Sequence, residues 1–206
     1  NGVSRPENVE ADLLTKKFGL HKDDYICALS RLTEEKGIHY LIEAYQNVKT
    51  DKKLVIAGDT SDTDDYVMKL KKLAGNNPNI IFTGFVSGRT LEELYSNAYV
   101  YVLPSKLEGM PLSLLEAMSY GNCVIGSDIA EIADVVEDKA ILFKKANVED
   151  LKEKLQMVCD DVELVEKYKG EASGYICGRY NWEDVVERTL RVYQKGKKIN
   201  ENLNDK

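Results

Sequence analysis

Two glutamates, Glu108 and Glu116, are separated by seven residues within a stretch that could bind and react with a charged ligand. This stretch, residues 104–121, reads PSKLEGMPLSLLEAMSYG. Pro111 suits the start of a helix, since the N–H that proline lacks would have no intrahelical partner there, and Gly121 suits the helix end. The N-terminal end of such a helix presents free N–H groups and a positive dipole, which favour a diphosphate or a developing negative charge.

The two carboxylates would have different surroundings. Glu108 would lie in the loop beside the anion site, where Gly109 lets a ligand approach the backbone closely. Glu116 would lie a little over one turn into a mostly apolar helix, and a carboxylate there needs hydrogen-bond donors, which the two hydroxyls of a ribose supply. A bare pair of glutamates at this spacing is expected by chance in an acidic chain. The proline, the two glycines and the preceding apolar strand make the pattern more specific.

Apolar runs of strand length alternate with amphipathic stretches of helix length, which predicts βα units and a parallel sheet. Strands are predicted over residues 25–29, 53–57, 80–83, 99–103, 123–126 and 140–143. Helices are predicted over residues 37–48, 65–74, 91–98, 111–120, 148–158, 162–176 and 182–194. The expected fold class is α/β: a Rossmann-like, three-layer domain with a mostly parallel six-stranded sheet and C-terminal helices. Its predicted limits are residues 1–195, and the polar residues 196–206 are predicted to form a disordered tail.

In an open parallel sheet, ligands bind outside the carboxyl ends of the strands, and this rule selects the loops to consider. Arg31 and Lys36 follow the first predicted strand, where they could neutralise a diphosphate; solvated loop charges are the alternative. Phe85 follows the third strand and could equally line the site or pack in the core. Glu108 follows the fourth strand, at the same edge. Trp182, at the start of the last predicted helix, is interpreted as a core residue.

Composition and charge limit the class of protein. A chain of 206 residues with 43% hydrophobic and 31% charged residues fits one globular α/β domain. Its net charge of -7 argues against a nucleic-acid-binding surface, since affinity for phosphate backbones grows with the number of Lys and Arg side chains. Four cysteines without close pairing suggest free thiols in a reducing compartment, so cytoplasmic localisation is expected. No apolar run reaches the roughly 18 residues of a membrane span.

Two other kinds of nucleotide site have weaker support. Asp62, Thr63 and Asp64 spell the DxD pattern with which metal-dependent transferases hold a divalent ion against a diphosphate, but a polar surface loop is the favoured interpretation. A dinucleotide-binding domain would have a G-x-G-x-x-G loop after its first strand, where this chain has SRLTEEKG. A metal site and dinucleotide chemistry are therefore not expected.

The stretch EGMPLSLLEAMSYGNCVIGSD resembles the E-x7-E signature region of the retaining GT-B glycosyltransferases called glycosyl transferases group 1. The likeness extends over nearly the whole chain, through ALSRLTEEKGIHYLIEAY, TGFVSGRTLEELYSNAYVYVLPS and NWEDVVERTLRVY. By this resemblance the chain is the C-terminal, nucleotide-sugar-binding domain of such an enzyme. One departure is SDIAEIADVVE, where the family often has glycines followed by Glu, so Asp128 and Asp134 receive no catalytic role.

The resemblance implies roles for the residues at this edge. Arg31 and Lys36 would bind the donor diphosphate and stabilise the leaving group, and Glu108 would act beside the donor sugar. These three are the catalytic candidates, and Glu116 would hold the ribose. The other donor-binding candidates contribute backbone groups: Gly109, Met110, Pro111 and Leu112 for the sugar hydroxyls and the β-phosphate, and Phe85 and Val86 for the nucleobase. No metal and no other cofactor is expected, because the two cations and the helix dipole would take the place of a metal.

The function that the resemblance implies is transfer of a glycosyl group from a nucleotide-diphosphate sugar, with a UDP-sugar favoured. The configuration would be retained, and the acceptor hydroxyl would belong to a sugar or a lipid-linked glycan in polysaccharide or glycoconjugate synthesis. A missing N-terminal domain would bind the acceptor and would be the part that contacts the inner face of a membrane. The 206 residues alone are therefore expected to be inactive. A nucleotide-sugar epimerase of the same architecture and a non-catalytic nucleotide-binding module are the alternatives.

Overall fold

The computed structural model describes residues 1–59 and 64–204, with side chains up to residue 194 apart from that of residue 64. Within these residues six strands form one sheet in the order β3-β2-β1-β4-β5-β6, and every neighbouring pair is parallel. The strands are β1 Tyr25–Leu29, β2 Lys53–Ala57, β3 Ile80–Gly84, β4 Val100–Leu103, β5 Cys123–Ser127 and β6 Ile141–Phe143. The predicted six-stranded parallel sheet is confirmed. Its strand order reverses between β1 and β4, which is where open sheets bind ligands.

Helices cover both faces of the sheet. They are α1 Leu13–Phe18, α2 Ile38–Tyr45, α3 Asp64–Ala74, α4 Gly88–Ser96, α5 Leu112–Ser119, α6 Ala130–Val136, α7 Val148–Asp160, α8 Val162–Arg179 and α9 Trp182–Asn204. Ile26 of β1 packs into a hydrophobic cluster with residues of α2, α3 and α7, whereas its neighbour Cys27 packs into a second cluster with residues of α1, α4, α5 and α6. Because both faces of the strands are buried, continuous apolar runs are the sequence pattern that this sheet requires. The three-layer arrangement expected from the sequence is therefore present.

Two short helices, α1 and α6, are absent from the sequence prediction. Helix α6 has 7 residues and lies in the segment that departs from the family pattern. Its buried residues are Ile132, Val135 and Val136. So few apolar positions give a weak periodic signal, which explains why the pattern did not indicate a helix there.

Helix α9 differs most from the expectations. Trp182 is 49% exposed, so its interpretation as a core residue is wrong. The reason is that α9 leaves the domain surface: Val186, Leu190 and Tyr193 are also exposed and give this helix an uncovered apolar face. The backbone of α9 extends to Asn204, beyond the predicted helix end at residue 194, and the disordered tail over residues 196–206 stays a prediction. The domain limits stay a prediction. No helix in the described part of the chain is long and apolar enough to cross a membrane.

Candidate functional site

The loops after β1 and β4 meet at the carboxyl edge of the sheet because these two strands are neighbours. Lys36 Nζ lies 2.8 Å from Glu108 Oε1, although the two residues are 72 positions apart in the sequence. Their side chains are only 15% and 7% exposed. Two catalytic candidates therefore form a largely buried ion pair, in which the low exposure makes charge interactions stronger than at an open surface.

The loop that carries Glu108 is held in place by further hydrogen bonds. Ser105 Oγ donates to the same Glu108 oxygen at 2.7 Å, and Ser127 Oγ donates to the Ser105 carbonyl at 2.5 Å. Both serines are fully buried. The Lys106 N–H donates to the Glu35 carbonyl at 2.7 Å, which joins this loop to the loop after β1. We call residues 104–108 the tied loop.

Gly37 allows the two loops to approach closely. Its φ is +67°, in the region that favours glycine, and a Cβ atom there would lie 2.1 Å from the Pro104 carbonyl oxygen. The preceding residues, Glu34–Lys36, form a 3-10 turn that Gly37 ends. This turn directs Lys36 toward the tied loop, and any side chain at position 37 would push the two loops apart.

Arg31 lies in different surroundings from Lys36. It lines a cavity of about 500 Å³ together with Leu29, Phe85, Val86 and Leu91, and most of the lining is apolar. Phe85 is 75% exposed, so the alternative that it packs in the core is wrong. We call this space the open cavity. The sequence treats Arg31 and Lys36 as a pair, whereas the structure places one at the rim of the cavity and the other against Glu108.

Helix α5 begins one residue later than expected, at Leu112, with Pro111 at the N-cap position. The Leu112 N–H donates to the Met110 carbonyl at 2.9 Å, so it is already used in a tight turn. At Gly109, a Cβ atom would meet nothing within 4 Å, which leaves room for a ligand against the backbone. Gly121 has a φ of +84° and ends the helix as predicted.

Glu116 is exposed and accepts a hydrogen bond from Tyr95 Oη to its Oε2 at 3.1 Å. Tyr95 is buried and stacks on Tyr120 with ring centroids 5.4 Å apart. Burial raises the pKa of Tyr95 well above its ordinary value, so the hydroxyl remains a donor to Glu116 at neutral pH. One oxygen of Glu116 is therefore already bonded within the protein.

Sequence reasoning missed Ser105, Ser127 and Tyr95. Ser105 lies two positions after the end of a strand and three residues before Glu108, which is a usable signal. Tyr95 has helical spacing from Leu91, which indicates burial but not a bond to Glu116. Nothing in the sequence around Ser127 indicates its role.

The DxD pattern cannot be compared with the site. Asp62 and Thr63 lie outside the described residues, and of Asp64 only the backbone at the start of α3 is described. Among the described residues, no three His, Cys, Asp or Glu side chains are grouped as a metal site would require.

Solved structures identify the fold class. A structure of HepE from Anabaena in complex with UDP and glucose has a TM-score of 0.81 with this chain at 19% identity, and the match covers 89% of this chain and 51% of that one. A structure of TarM has a TM-score of 0.75 at 26% identity and covers 94% of this chain and 38% of that one. The domain thus has the fold of part of a GT-B glycosyltransferase.

The family follows from sequence comparison. The model of the family Glycosyl transferases group 1 matches residues 11–172, and the chain belongs to that family, as the resemblance implied. An uncharacterized glycosyltransferase of Methanocaldococcus jannaschii is 32% identical over 87% of this chain and 47% of the relative. The alpha-D-kanosaminyltransferase of Streptomyces kanamyceticus is 25% identical over 88% of this chain and 48% of the relative. The chain spans about half the length of these relatives.

Proposed function

We propose that this domain binds a nucleotide-diphosphate sugar at the carboxyl edge of its sheet, as the donor for glycosyl transfer. The observation that carries the proposal is the juxtaposition of two kinds of subsite. The open cavity offers apolar surface and the Phe85 ring to a flat base, with Arg31 at its rim. The tied loop offers a largely buried ion pair, Lys36 and Glu108, and the N-terminal end of α5 follows it. A base, a diphosphate and a sugar need these surroundings in that order.

The charges support a role in departure of the leaving group. When the bond between the sugar and the diphosphate breaks, negative charge grows on the diphosphate and positive charge grows on the anomeric carbon. Arg31, Lys36 and the dipole of α5 would stabilise the first charge, and Glu108 would stabilise the second. Interactions that strengthen as charge develops lower the barrier, whereas equal binding of substrate and transition state does not.

Retention of configuration is part of the proposal. Glu108 would be a weak nucleophile, because the hydrogen bonds from Lys36 and Ser105 to its Oε1 withdraw negative charge from the whole carboxylate, including Oε2. This favours front-side displacement assisted by the leaving phosphate over a covalent glycosyl-enzyme. A UDP-sugar is the favoured donor, since structures of HepE, which shares the fold, contain UDP.

The whole protein would contain a further domain that binds the acceptor, a sugar or a lipid-linked glycan. Two facts support this. The chain spans 47% of its Methanocaldococcus jannaschii relative. Helix α9 also carries the apolar side chains Trp182, Val186, Leu190 and Tyr193 on its surface, where another domain could cover them. The 206 residues alone would then bind the donor and catalyse nothing.

A thermal-shift panel with UDP, GDP, ADP and dTDP tests donor binding. One nucleotide should raise the unfolding temperature, because a ligand at 100 times its Kd stabilises the folded state by about 2.7 kcal/mol. Arg31→Ala should weaken that shift, whereas Arg191→Ala on the exposed α9 should not change it. If none of the four nucleotides shifts the unfolding temperature, the proposed function is wrong. An unchanged shift in Arg31→Ala would favour a non-catalytic module.

A further inference from the structure

The two oxygens of the Glu108 carboxylate have different partners. Oε1 accepts from Lys36 Nζ at 2.8 Å and from Ser105 Oγ at 2.7 Å, so both of its lone pairs are used. Within residues 1–59 and 64–194, no donor forms a hydrogen bond with Oε2. A planar carboxylate anchored at one oxygen by two donors from different loops has a fixed orientation. The direction of Oε2 is therefore set by the protein and not by the ligand.

Ser105 is itself fixed by a hydrogen bond from Ser127. It lies just after β4, and Ser127 is the last residue of the neighbouring strand β5. Ser127 Oγ donates to the Ser105 carbonyl at 2.5 Å, and both residues have no exposed surface. A buried hydroxyl without a partner is costly, so each serine is confined to the hydrogen bond that it makes. The chain of contacts runs from the sheet through Ser127 and Ser105 to the Glu108 carboxylate.

We propose that Ser105 is a positioning residue for the donor sugar, supported by Ser127. Ser105 orients Glu108 so that Oε2 accepts a hydrogen bond from a hydroxyl of the sugar. The inference rests on the proposed function, because it needs a sugar beside Glu108. The affinity for the donor then has two parts. The contribution of the sugar depends on Ser105, whereas the contribution of the nucleoside diphosphate depends on the open cavity, Arg31 and Lys36.

Titration calorimetry on the chain tests this separation. The probes are four pairs: UDP and UDP-glucose, GDP and GDP-mannose, ADP and ADP-glucose, and dTDP and dTDP-glucose. The quantity compared is the Kd of the nucleoside diphosphate divided by the Kd of its nucleotide sugar, within the pair that binds. A weaker bond to the sugar lowers this ratio. The variants are Ser105→Ala, Ser105→Thr, which keeps the hydroxyl, Ser127→Ala and Glu108→Gln. Ser119→Ala is the matched control, since Ser119 is 5% exposed and its hydroxyl donates to the Glu116 carbonyl of its own helix.

We expect Ser105→Ala to weaken the nucleotide sugar about tenfold relative to the diphosphate, as loss of one hydrogen bond to a charged group does. The affinity for the diphosphate should stay within about twofold, and Ser105→Thr should restore the ratio. Ser127→Ala should change the ratio in the same direction by a smaller factor, and Ser119→Ala should not change it. If Ser105→Ala does not fold, Ser105→Cys replaces it, because the thiol has nearly the same size and is a weak donor.

Equal loss of both affinities in Ser105→Ala would mean a purely structural serine and would overturn the inference. An unchanged ratio in Ser105→Ala, with a lowered ratio in Glu108→Gln, would also overturn it while leaving the proposed function intact. If the chain with its native sequence binds none of the eight probes, the proposed function is wrong and the inference falls with it.

Discussion

The tied loop and the open cavity lie at the same edge of one sheet, yet they are built in opposite ways. In the tied loop, Glu108 is 9% exposed and is held by the Lys36 ammonium of the loop after β1 and by the hydroxyl of Ser105 in the tied loop itself. In the open cavity, Phe85 is 75% exposed and Arg31 also lies at the surface. A carboxylate that must face one atom of a ligand needs a fixed orientation, whereas a flat base needs only apolar area to cover. Substitutions in the tied loop should therefore affect folding, and those in the cavity only binding.

Gly37→Ala should have the largest effect on stability. The new Cβ atom would lie 2.1 Å from the Pro104 carbonyl oxygen, which belongs to backbone that cannot move freely. We expect the free energy of unfolding to fall by more than about 3 kcal/mol, from this overlap together with the positive φ. Urea unfolding of the chain measures the loss.

Gly19→Ala is the matched control for the glycine substitution. Gly19 has a similar φ of +61°, but a Cβ atom there would meet nothing within 4 Å. Its substitution should cost only the backbone contribution, about 1–2 kcal/mol. Equal losses in the two variants would show that the two loops do not need their close approach.

Lys36→Met should come next. It removes the cation from Glu108 and leaves a carboxylate with little exposure to water, which should cost about 2–3 kcal/mol of unfolding free energy. Combining it with Glu108→Gln should cost less than the sum of the two single changes, because the second removes the unpaired charge. The double-mutant cycle is measured by urea unfolding.

The exposed pair of Arg191 and Glu187 supplies the control, with side chains 68% and 60% exposed. Arg191→Met should change the unfolding free energy by less than about 0.5 kcal/mol. If Lys36→Met lowers the unfolding free energy by as little as this, the ion pair of Lys36 and Glu108 does not stabilise the fold.

Much of the fold can be predicted from the sequence because the strands lie between two layers of helices and are buried on both faces. Strands β1 and β2 have the predicted bounds, since a strand buried on both faces must be apolar throughout and turn residues flank it. The placement of Glu108 and Lys36 at one edge also follows from the sequence, because the carboxyl ends of parallel strands lie at the same edge of the sheet. The 3-10 turn at Glu34–Lys36 does not, and it is this turn that separates Lys36 from Arg31.

The supporting residues of the site were harder to predict for a physical reason. Serine occurs in turns, at helix caps and in the core, and its hydroxyl finds a hydrogen-bond partner in each setting. The residue type at position 127 therefore does not indicate which of these roles Ser127 has. The position of Tyr95 on the apolar face of α4 indicates a buried residue, whether or not its hydroxyl donates to Glu116. Their roles depend on contacts between elements distant in sequence, such as the 22 positions between Ser127 and Ser105.

Tyr95→Phe tests an intermediate case, because Tyr95 is buried while its partner Glu116 is exposed. Loss of the hydroxyl should lower the unfolding free energy by about 1 kcal/mol at pH 8. Burial raises the pKa of Tyr95 well above 10, so above pH 10 the unfolded chain releases a proton that the folded chain keeps. Stability must then fall as pH rises, by up to about 1.4 kcal/mol per pH unit for each such tyrosine.

Tyr45 and Tyr66, whose pKa values burial raises to about 12, contribute to the same decline. Between pH 10 and 11 the stability of Tyr95→Phe should therefore decline less steeply than that of the native sequence, without becoming independent of pH. Urea midpoints from pH 8 to 11 measure the two slopes. Parallel slopes would mean that Tyr95 titrates as it does in the unfolded chain and is not buried beside Glu116.

Phe85→Ala should have the smallest effect on stability and still a clear effect on binding. The ring is 75% exposed, so its removal should change the unfolding free energy by less than about 0.5 kcal/mol. If the ring covers the base, affinity for the nucleoside diphosphate should fall by about fivefold or more, because stacking of a base on an aromatic ring contributes at least about 1 kcal/mol. Tyr193→Ala is the control, since Tyr193 is equally exposed at 75% but lies on α9. It should change neither quantity. A drop in stability with Phe85→Ala would mean that the cavity is part of the core, and the contrast with the tied loop would then be lost.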